Sequence, residues 1–324
     1  MSKTPRPEFH LDSLGIPKAE LNPKILQKLP PPPPWRTYGS EDFSPPTETK
    51  DFDSPRARAF VATPKDRTAL LLSILLRKPL LITGLPGIGK SSMAEALARY
   101  LQVDAPLVWS INSKSTLQEG LYSYRALDHL YAVKNDTSTS LGDFLSLGPL
   151  GQALAETRFP RVVLIDEIDK GDYDLPNDLL NVIDRGSFVI PEAKRVGGET
   201  QVQSYDHKGP TAIKNGVVQA KYFPIVLMTS NGERDFPPAF KRRCLQHEMV
   251  FPREEELRAM LKAHLPNGDI AEVGDWIQAI AQSGNLAHDF IPPEQLINAV
   301  YLAGITGMNV EEITSSIIRP LSGK

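Results

Sequence analysis

One short stretch, residues 80–97, limits most strongly what this chain can fold into. It reads L-L-I-T-G-L-P-G-I-G-K-S-S-M-A-E-A-L, which is an apolar strand, a glycine-rich loop and the beginning of a helix. Gly84, Gly89, Lys90 and Ser91 match the pattern G-x-x-x-x-G-K-[ST] without a mismatch. Glycine is required because the backbone N–H groups of such a loop point inward, and a Cβ would block an approaching phosphate. The stretch therefore predicts a phosphate-binding loop in an α/β fold.

The predicted phosphate-binding residues are those of the loop and the first helical turn: Gly84, Leu85, Pro86, Gly87, Ile88, Gly89, Lys90, Ser91 and Ser92. We expect the ammonium group of Lys90 to reach the β- and γ-phosphates of a nucleotide, and the hydroxyl of Ser91 to ligate Mg²⁺. The helix that begins near Lys90 adds the positive end of its dipole. A glycine turn that binds nothing is the alternative, and Lys90-Ser91 beside an apolar strand argues against it.

A second group of polar residues follows another apolar strand. Residues 161–170 read R-V-V-L-I-D-E-I-D-K, so Asp166 and Glu167 come directly after the apolar run. Ligands of open α/β sheets bind at the carboxyl ends of the strands. We therefore expect Asp166 to hold Mg²⁺ through water and Glu167 to polarise an attacking water. The alternative is a strand that ends in a solvated acidic turn. This alternative is weaker because the acidic pair follows a complete phosphate loop in the same chain.

Two further candidates follow in the second half of the chain. Residues 222–229, Y-F-P-I-V-L-M-T, predict a buried strand, and Asn231 after it is placed to bind the γ-phosphate or the water. Asn231-Gly232 is also an ordinary turn pair, which alone would be the simpler interpretation. Arg242 and Arg243 follow a short predicted helix. Paired arginines at such a place usually form a solvated helix end.

The first 55 residues predict a proline-rich tail that is extended or partly disordered. The run 30–34 favours polyproline II, and residues 37–55 are polar, acidic and broken by proline. This tail is interpreted either as a linker or strap along the domain, or as a docking peptide for a partner.

The remaining residues predict a nucleotide-binding core over 56–251 and a helical region over 252–324. The core begins with a helix at 63–77. Residues 113–145 predict an insertion with one or two helices, and residues 194–218 predict a hairpin or a flexible loop. The last region predicts short amphipathic helices at 253–264, 270–282, 293–303 and 310–318.

The composition is that of an ordinary globular protein. The 324 residues are 41% hydrophobic and 23% charged, which is enough for a packed core. The net charge of −3 provides no broad basic surface, so nucleic-acid binding is not indicated. The single cysteine, Cys244, excludes an internal disulfide and a cysteine-rich zinc site. No apolar run reaches about 18 residues and no signal-peptide core is present, so we expect a cytoplasmic protein without a membrane partner.

Together these motifs resemble an AAA+ ATPase of the MoxR-type branch over about residues 56–324. The segments that carry the resemblance are P-L-L-I-T-G-L-P-G-I-G-K-S at 79–91, L-G-P-L-G-Q-A-L at 147–154, V-V-L-I-D-E-I-D-K at 162–170, D-L-L-N-V-I-D-R-G-S-F-V-I-P at 178–191 and F-P-P-A-F-K-R-R-C at 236–244. The resemblance implies a P-loop fold with a five-stranded parallel sheet in the order 5-1-4-3-2 and a C-terminal helical lid. It also implies a helix-2 insertion, a hairpin before sensor 1, and assembly into a homo-oligomer, typically a hexameric ring.

By this resemblance residues 84–91 are Walker A, and Asp166 and Glu167 are Walker B. Asn231 is sensor 1, and Arg242 or Arg243 is the finger that reaches the γ-phosphate of a neighbouring subunit. The family often carries a sensor 2 arginine at the start of a lid helix. The matching residues 291–295 read I-P-P-E-Q, without an arginine. We therefore expect hydrolysis to be slow or stimulated by a partner.

These features predict an ATPase that uses ATP and Mg²⁺ to remodel or conformationally control an unidentified protein partner. The phosphate loop binds phosphates and not the base, so GTP is not excluded by the motif. One alternative is an assembly switch in signalling or defence, in which the ATP-bound assembly is itself the output. A DNA-stimulated motor or loader is a weaker alternative, because the chain is acidic and has no basic-aromatic stripe.

Overall fold

A computed structural model describes residues 9–15, 24–36, 38, 43–135, 139–265, 274, 277–278, 292–309 and 312–313. The strands in these ranges are β1 (Leu80–Thr83), β2 (Leu107–Ser110), β3 (Tyr122–Tyr124), β4 (Leu145–Leu147), β5 (Val162–Asp166), β6 (Ser187–Val189), β7 (Glu199–Gln203), β8 (Pro210–Lys214), β9 (Val217–Gln219), β10 (Ile225–Ser230) and β11 (Leu245–Glu248). The predicted helices at 270–282 and 310–318 lie almost entirely outside the described residues.

The described helices are α1 (Pro55–Ala59), α2 (Pro64–Leu76), α3 (Ser92–Leu101), α4 (Leu117–Leu121), α5 (Ala126–Lys134), α6 (Pro149–Ala155), α7 (Leu175–Arg185), α8 (Pro191–Val196), α9 (Pro238–Arg243), α10 (Glu254–His264) and α11 (Pro293–Thr306). Short 3₁₀ helices occupy Ile25–Lys28, Leu141–Phe144 and Ile168–Lys170. Among these helices, none is long and apolar enough to cross a membrane.

Five parallel strands form the central sheet, in the spatial order β11-β1-β10-β5-β2. Numbered along the chain within this sheet, the order is 5-1-4-3-2, so the predicted α/β fold and strand order are confirmed. All six residues of β10 are buried, as expected for a central strand covered on both faces.

Alternate residues of the strands point to two separate hydrophobic layers. Leu81, Val163 and Val226 face the layer that contains α6 and α7. Leu80, Leu164 and Leu227 face the layer that contains α2 and α3. The first turn of α2 is closed by a capping box, in which Thr63 and Asp66 exchange backbone-to-side-chain hydrogen bonds of 2.7 and 3.2 Å.

A second sheet of six strands, in the order β3-β4-β7-β8-β9-β6, unites two regions that the sequence separates. The insertion contains α4, α5 and β3 and ends at the first residue of β4, and the sequence predicted neither strand. The region 194–218 contains the predicted hairpin as β7 and β8, which pair antiparallel. The three-residue strands β3 and β4 were missed because their pairing is long-range and leaves no periodic pattern.

The N-terminal segment is a strap that packs on the core. Its described residues, 9–15, 24–36, 38 and 43–54, lie outside both sheets and contain turns at 12–15 and 34–35 and the 3₁₀ turn at Ile25–Lys28. Phe9, Leu14 and Leu26 are each at most 1% exposed and belong to the same hydrophobic layer as α2 and α3. The strap therefore shares the core of the nucleotide-binding region, although the proline run itself is only partly covered.

Two C-terminal helices, α10 and α11, correspond to the predicted helices at 253–264 and 293–303, and α11 continues to Thr306. Leu257 and Leu261 of α10 pack against Leu296 and Val300 of α11 in a small hydrophobic cluster of their own. The start of α11 lies directly against the phosphate loop. A Cβ on Gly87 would be only 2.7 Å from Cβ of Pro292.

Candidate functional site

The candidate site lies at the carboxyl ends of β1, β5 and β10. The register of these strands puts the glycine loop after β1, the acidic pair after β5 and Asn231 after β10 at one edge of the sheet. These three groups line one side of a cleft of about 510 Å³. Met260 and His264 of α10 and Glu294 of α11 line the other side. Burial lowers the pKa of His264. The cleft has the size of a small-ligand site.

The loop has backbone conformations that only glycine adopts readily. Gly84, Gly87 and Gly89 have φ angles of +145°, +74° and +97°. A Cβ on Gly84 would also lie 2.5 Å from the carbonyl oxygen of Met249. Pro86, Ser91 and Ser92 line the cleft, whereas Leu85 is 47% exposed and Ile88 is buried away from it. The loop is thus anchored by Ile88 and open towards the cleft.

Lys90 is only 7% exposed and is held by three oxygens. Its Nζ donates to the carbonyl oxygens of Gly84 at 2.7 Å and Leu85 at 2.8 Å, and to Oδ1 of Asn231 at 2.8 Å. Burial lowers the pKa of Lys90, and the nearby carboxylates of Asp166, Asp169 and Glu167 partly oppose this. A ligand that brings negative charge would relieve the cost of burying this ammonium group.

Asp166 forms the centre of a set of hydroxyl contacts. The hydroxyls of Ser91 and Thr229 donate to its Oδ1 at 2.8 and 2.5 Å. Thr229 in turn accepts from the backbone N–H of Glu167 at 2.9 Å. The hydroxyl and carboxylate oxygens suit Mg²⁺, which takes one or two protein oxygens and completes its shell with phosphates and water.

No group of three or more His, Cys, Asp or Glu side chains in the described part of the chain could hold a metal. The hydroxyl of Ser91 and the carboxylate of Asp166 are two oxygen donors, which fits a Mg²⁺ ion that takes its other ligands from phosphates and water. This fits the pair of predicted Mg²⁺ ligands.

Glu167 is held in a left-handed conformation, with φ of +58°. Its Oε1 accepts from Nδ2 of Asn231 at 3.3 Å, and its Oε2 lies 2.8 Å from Nζ of Lys170. Non-glycine residues rarely adopt positive φ, and such strain is common at functional sites. Glu167 and Asn231 both line the cleft, so the carboxylate and the amide lie side by side at its wall.

Asp169 was missed by the sequence analysis although it shapes the site. It is 4% exposed, and its Oδ2 accepts from the backbone N–H groups of Asn231 at 3.1 Å and Glu233 at 3.0 Å. These bonds fix the turn that carries the Asn231 side chain. The available signal was the third acid of D-E-I-D, which a 3₁₀ turn returns to the same edge of the sheet.

The structure distinguishes the two candidate arginines of α9. Arg243 donates from Nε and Nη2 to Oδ2 of Asp184 at 3.1 and 2.5 Å, and from Nη1 to Oδ1 of Asn181 at 3.1 Å. Arg242 is exposed and has no hydrogen-bond or ion-pair partner among the described residues. The pair is therefore one intramolecular anchor and one guanidinium that points to solvent.

At the expected sensor 2 position, α11 presents an acid to the cleft. Pro292 precedes the helix, Pro293 is its first residue, and Glu294 lines the cleft. The one arginine among the described cleft residues is Arg56 of α1, whose side chain is 73% exposed and lies 4.0 Å from Glu95. Arg56, like Thr229, lines the cleft and was not predicted from the sequence.

Comparison with known protein families agrees with this geometry. The family model described as AAA domain (dynein-related subfamily) matches residues 79–244, just over half of the chain. The matched range contains the glycine loop, the acidic pair, Asn231 and both arginines of α9. No curated protein matches the chain. With its phosphate loop and its 5-1-4-3-2 parallel sheet, this chain belongs to the AAA domain family, dynein-related subfamily, and thus to the AAA+ ATPases.

Proposed function

We propose that this protein is a MoxR-type, Mg²⁺-dependent ATPase that remodels or conformationally controls a protein partner. The observation that carries the proposal is the convergence of Lys90, Asn231 and Glu167 from the ends of three different strands. Asn231 is hydrogen-bonded to Lys90 through Oδ1 and to Glu167 through Nδ2. A γ-phosphate bound at Lys90 would lie next to the two groups suited to orient a water.

In this mechanism the protein supplies positioning and charge neutralisation, since phosphoryl transfer needs little covalent chemistry from it. Lys90 exchanges its contacts with the carbonyls of Gly84 and Leu85 for phosphate oxygens. Glu167 and Asn231 orient the attacking water. Ser91 and Asp166 would hold Mg²⁺, which neutralises charge on the β- and γ-phosphates when it is bound.

The active unit is a homo-oligomer, which we infer to be a hexameric ring, with Arg242 acting on the nucleotide of the neighbouring subunit. The guanidinium of Arg242 is exposed and has no partner in the part of the chain that the structure describes, which supports this role, whereas Arg243 is bound by Asp184. A supplied arginine typically raises turnover by about 10³ to 10⁵. An isolated subunit should therefore be nearly inactive.

The second candidate function is an assembly switch whose output is the ATP-bound state itself. Glu294, at the place where a lid arginine would contact the γ-phosphate, favours slow hydrolysis and so favours this alternative. The two functions differ in turnover, because a remodeller must repeat its cycle and a switch need not.

The test is ATP hydrolysis by the full chain as a function of its concentration, with and without Mg²⁺. The proposal expects the specific activity to rise with concentration as subunits assemble, and to vanish without Mg²⁺. Partners are then captured with Glu167→Gln and ATP, with Lys90→Ala as the matched control that does not bind nucleotide. An ATP-loaded assembly that never turns over, with or without the captured partner, would leave only the switch.

A further inference from the structure

A second cavity lies at the other end of the central sheet, under the N-terminal strap. Its volume is about 90 Å³, and residues just before β1 and β10 line it, among them Lys78 and Phe223. The nucleotide cleft lies after the opposite ends of the same two strands. Since β10 has six residues, roughly 20 Å separate the two sites. The cavity is therefore distinct from the candidate nucleotide site.

Aromatic rings from the strap and from the core enclose this cavity. Tyr38 stacks on Phe223 with ring centroids 5.0 Å apart, and Phe43 meets Tyr222 edge-on at 6.4 Å. The hydroxyl of Tyr38 donates to the carbonyl oxygen of Ile183 at 2.6 Å, which holds that ring in place. The rings thus form a preorganised apolar enclosure for a flat molecule.

The charges that line the cavity are all positive. They belong to Arg36, Arg77, Lys78 and Lys221, and no acidic side chain lines it among the described residues. Arg77 is satisfied by the carbonyl oxygens of Ile74 and Pro30.

Nη1 of Arg36 lies 2.8 Å from Oδ1 of Asp184, but the geometry is not that of a hydrogen bond, so this buried nitrogen has an ion-pair neighbour and no hydrogen-bond acceptor among the described residues. The ammonium groups of Lys78 and Lys221 have no ion-pair partner in the described part of the chain, and Nζ of Lys221 lies over the ring of Tyr222. An enclosure lined by one sign of charge attracts the opposite sign.

We propose that this cavity binds a small organic anion with a planar apolar body. A water needs about 10–15 Å³ of such space, so the cavity holds a ligand of roughly six to nine non-hydrogen atoms. This size fits an aromatic carboxylate and excludes a nucleotide. The carboxylate would pair with Lys78 and Lys221 at the open side, and the ring would lie among Tyr38, Phe43 and Phe223.

The test is calorimetric titration of the full chain with benzoate, with benzamide as the neutral molecule of the same shape and with inorganic phosphate. We expect saturable binding of benzoate, and binding of benzamide and phosphate that is weaker by at least about tenfold. The double variant Lys78→Gln, Lys221→Gln should lower the affinity for benzoate by at least about tenfold. Lys114→Gln, at an exposed position away from the cavity, should leave that affinity unchanged.

Unchanged ATP affinity and thermal unfolding of the double variant serve as the folding control. Three results would overturn the proposal: no saturable binding of benzoate at millimolar concentration, equal binding of benzamide, or full affinity in a folded double variant. If phosphate bound as tightly as benzoate, the site would recognise negative charge alone, and the proposal of a ligand with a planar apolar body would be wrong. None of these readouts depends on ATP hydrolysis.

Discussion

Asp184, near the end of α7, holds Arg243 through both Nε and Nη2, at 3.1 and 2.5 Å. The second oxygen of the same carboxylate lies 2.8 Å from Nη1 of Arg36 in the strap. One acid thus connects the N-terminal strap with α9, the helix that exposes Arg242. We therefore expect the position of Arg242, the proposed arginine finger, to depend on Asp184 and on its contact with Arg36.

We expect Asp184→Asn to lower the free energy of unfolding by about 1 kcal/mol, because it weakens two partly exposed charge-assisted contacts. It should also lower turnover of the assembled protein, since α9 loses its anchor, while ATP affinity stays unchanged. Chemical denaturation and steady-state kinetics measure the two effects. Asp178→Asn, on the same helix, is the matched control, and equal effects of both variants would contradict the specific role of Asp184.

Lys90→Ala should abolish nucleotide binding and leave the fold intact. The variant removes a buried ammonium group whose pKa is lowered by burial, so it removes no favourable charge from the core. Calorimetric titration with ATP and Mg²⁺ checks binding, and circular dichroism checks the fold. ATP affinity equal to that of the unmodified chain would refute the assignment of the phosphate loop.

Arg242→Ala should lower the ATP turnover rate by a factor of about 10³ or more. It should leave ATP binding unchanged, because the guanidinium acts across a subunit interface. Arg243→Ala should instead reduce stability, because that side chain is bound within its own subunit. Mixing Arg242→Ala with Glu167→Gln should restore part of the activity, since some interfaces then combine an intact arginine with an intact glutamate. Inactive mixtures of subunits that demonstrably co-assemble would argue against a shared site.

Glu167→Gln should trap the ATP-bound state. Glutamine keeps the shape of the side chain and the contact with Asn231 but loses the charge that polarises water. Light scattering should show a larger particle with ATP and Mg²⁺ than without them. A monomer at saturating ATP and Mg²⁺, with or without the partner, would contradict both the remodelling and the switch proposals.

The pair of Asp66 and His247 should make stability depend on pH. Burial alone would raise the pKa of Asp66, but hydrogen bonds from His247 and from Thr63 outweigh it, and the pKa is lowered. A lowered folded-state pKa adds stability above the unfolded value of about 3.9 and loses it as the pH falls through the folded value. His247 Nε2 lies 2.6 Å from Asp66 Oδ1, so the ionised form is the one with a partner.

Asp66→Asn should therefore cost about 1–2 kcal/mol of unfolding free energy near neutral pH and progressively less below about pH 4. Denaturant titrations at several pH values measure this difference. Glu255→Gln, at an exposed position of α10, should show no comparable effect. A constant difference between the Asp66 variant and the unmodified chain down to about pH 2 would contradict the linkage.

The local sequence alone determined the phosphate loop, the two acidic residues after β5 and the asparagine after β10. Each is a short pattern attached to a buried strand, and parallel strands bring such ends to one edge. The family resemblance then supplied the order of the five strands. Residues 84–92, Asp166, Glu167 and Asn231 could be chosen in this way because backbone geometry leaves few alternatives at those positions.

Only the tertiary structure decided which residues join these patterns from a distance. Asp169 binds Asn231, Asp184 binds Arg243 while Arg242 has no partner among the described residues, and β4 pairs with β7 of the later hairpin. The packing of the strap and the cavity beneath it were also visible only in the tertiary structure. The apolar residues of the strap are too scattered along the sequence to form a helical or strand-like pattern. Contacts between residues far apart in the chain depend on complementary packing, which local periodicity does not record.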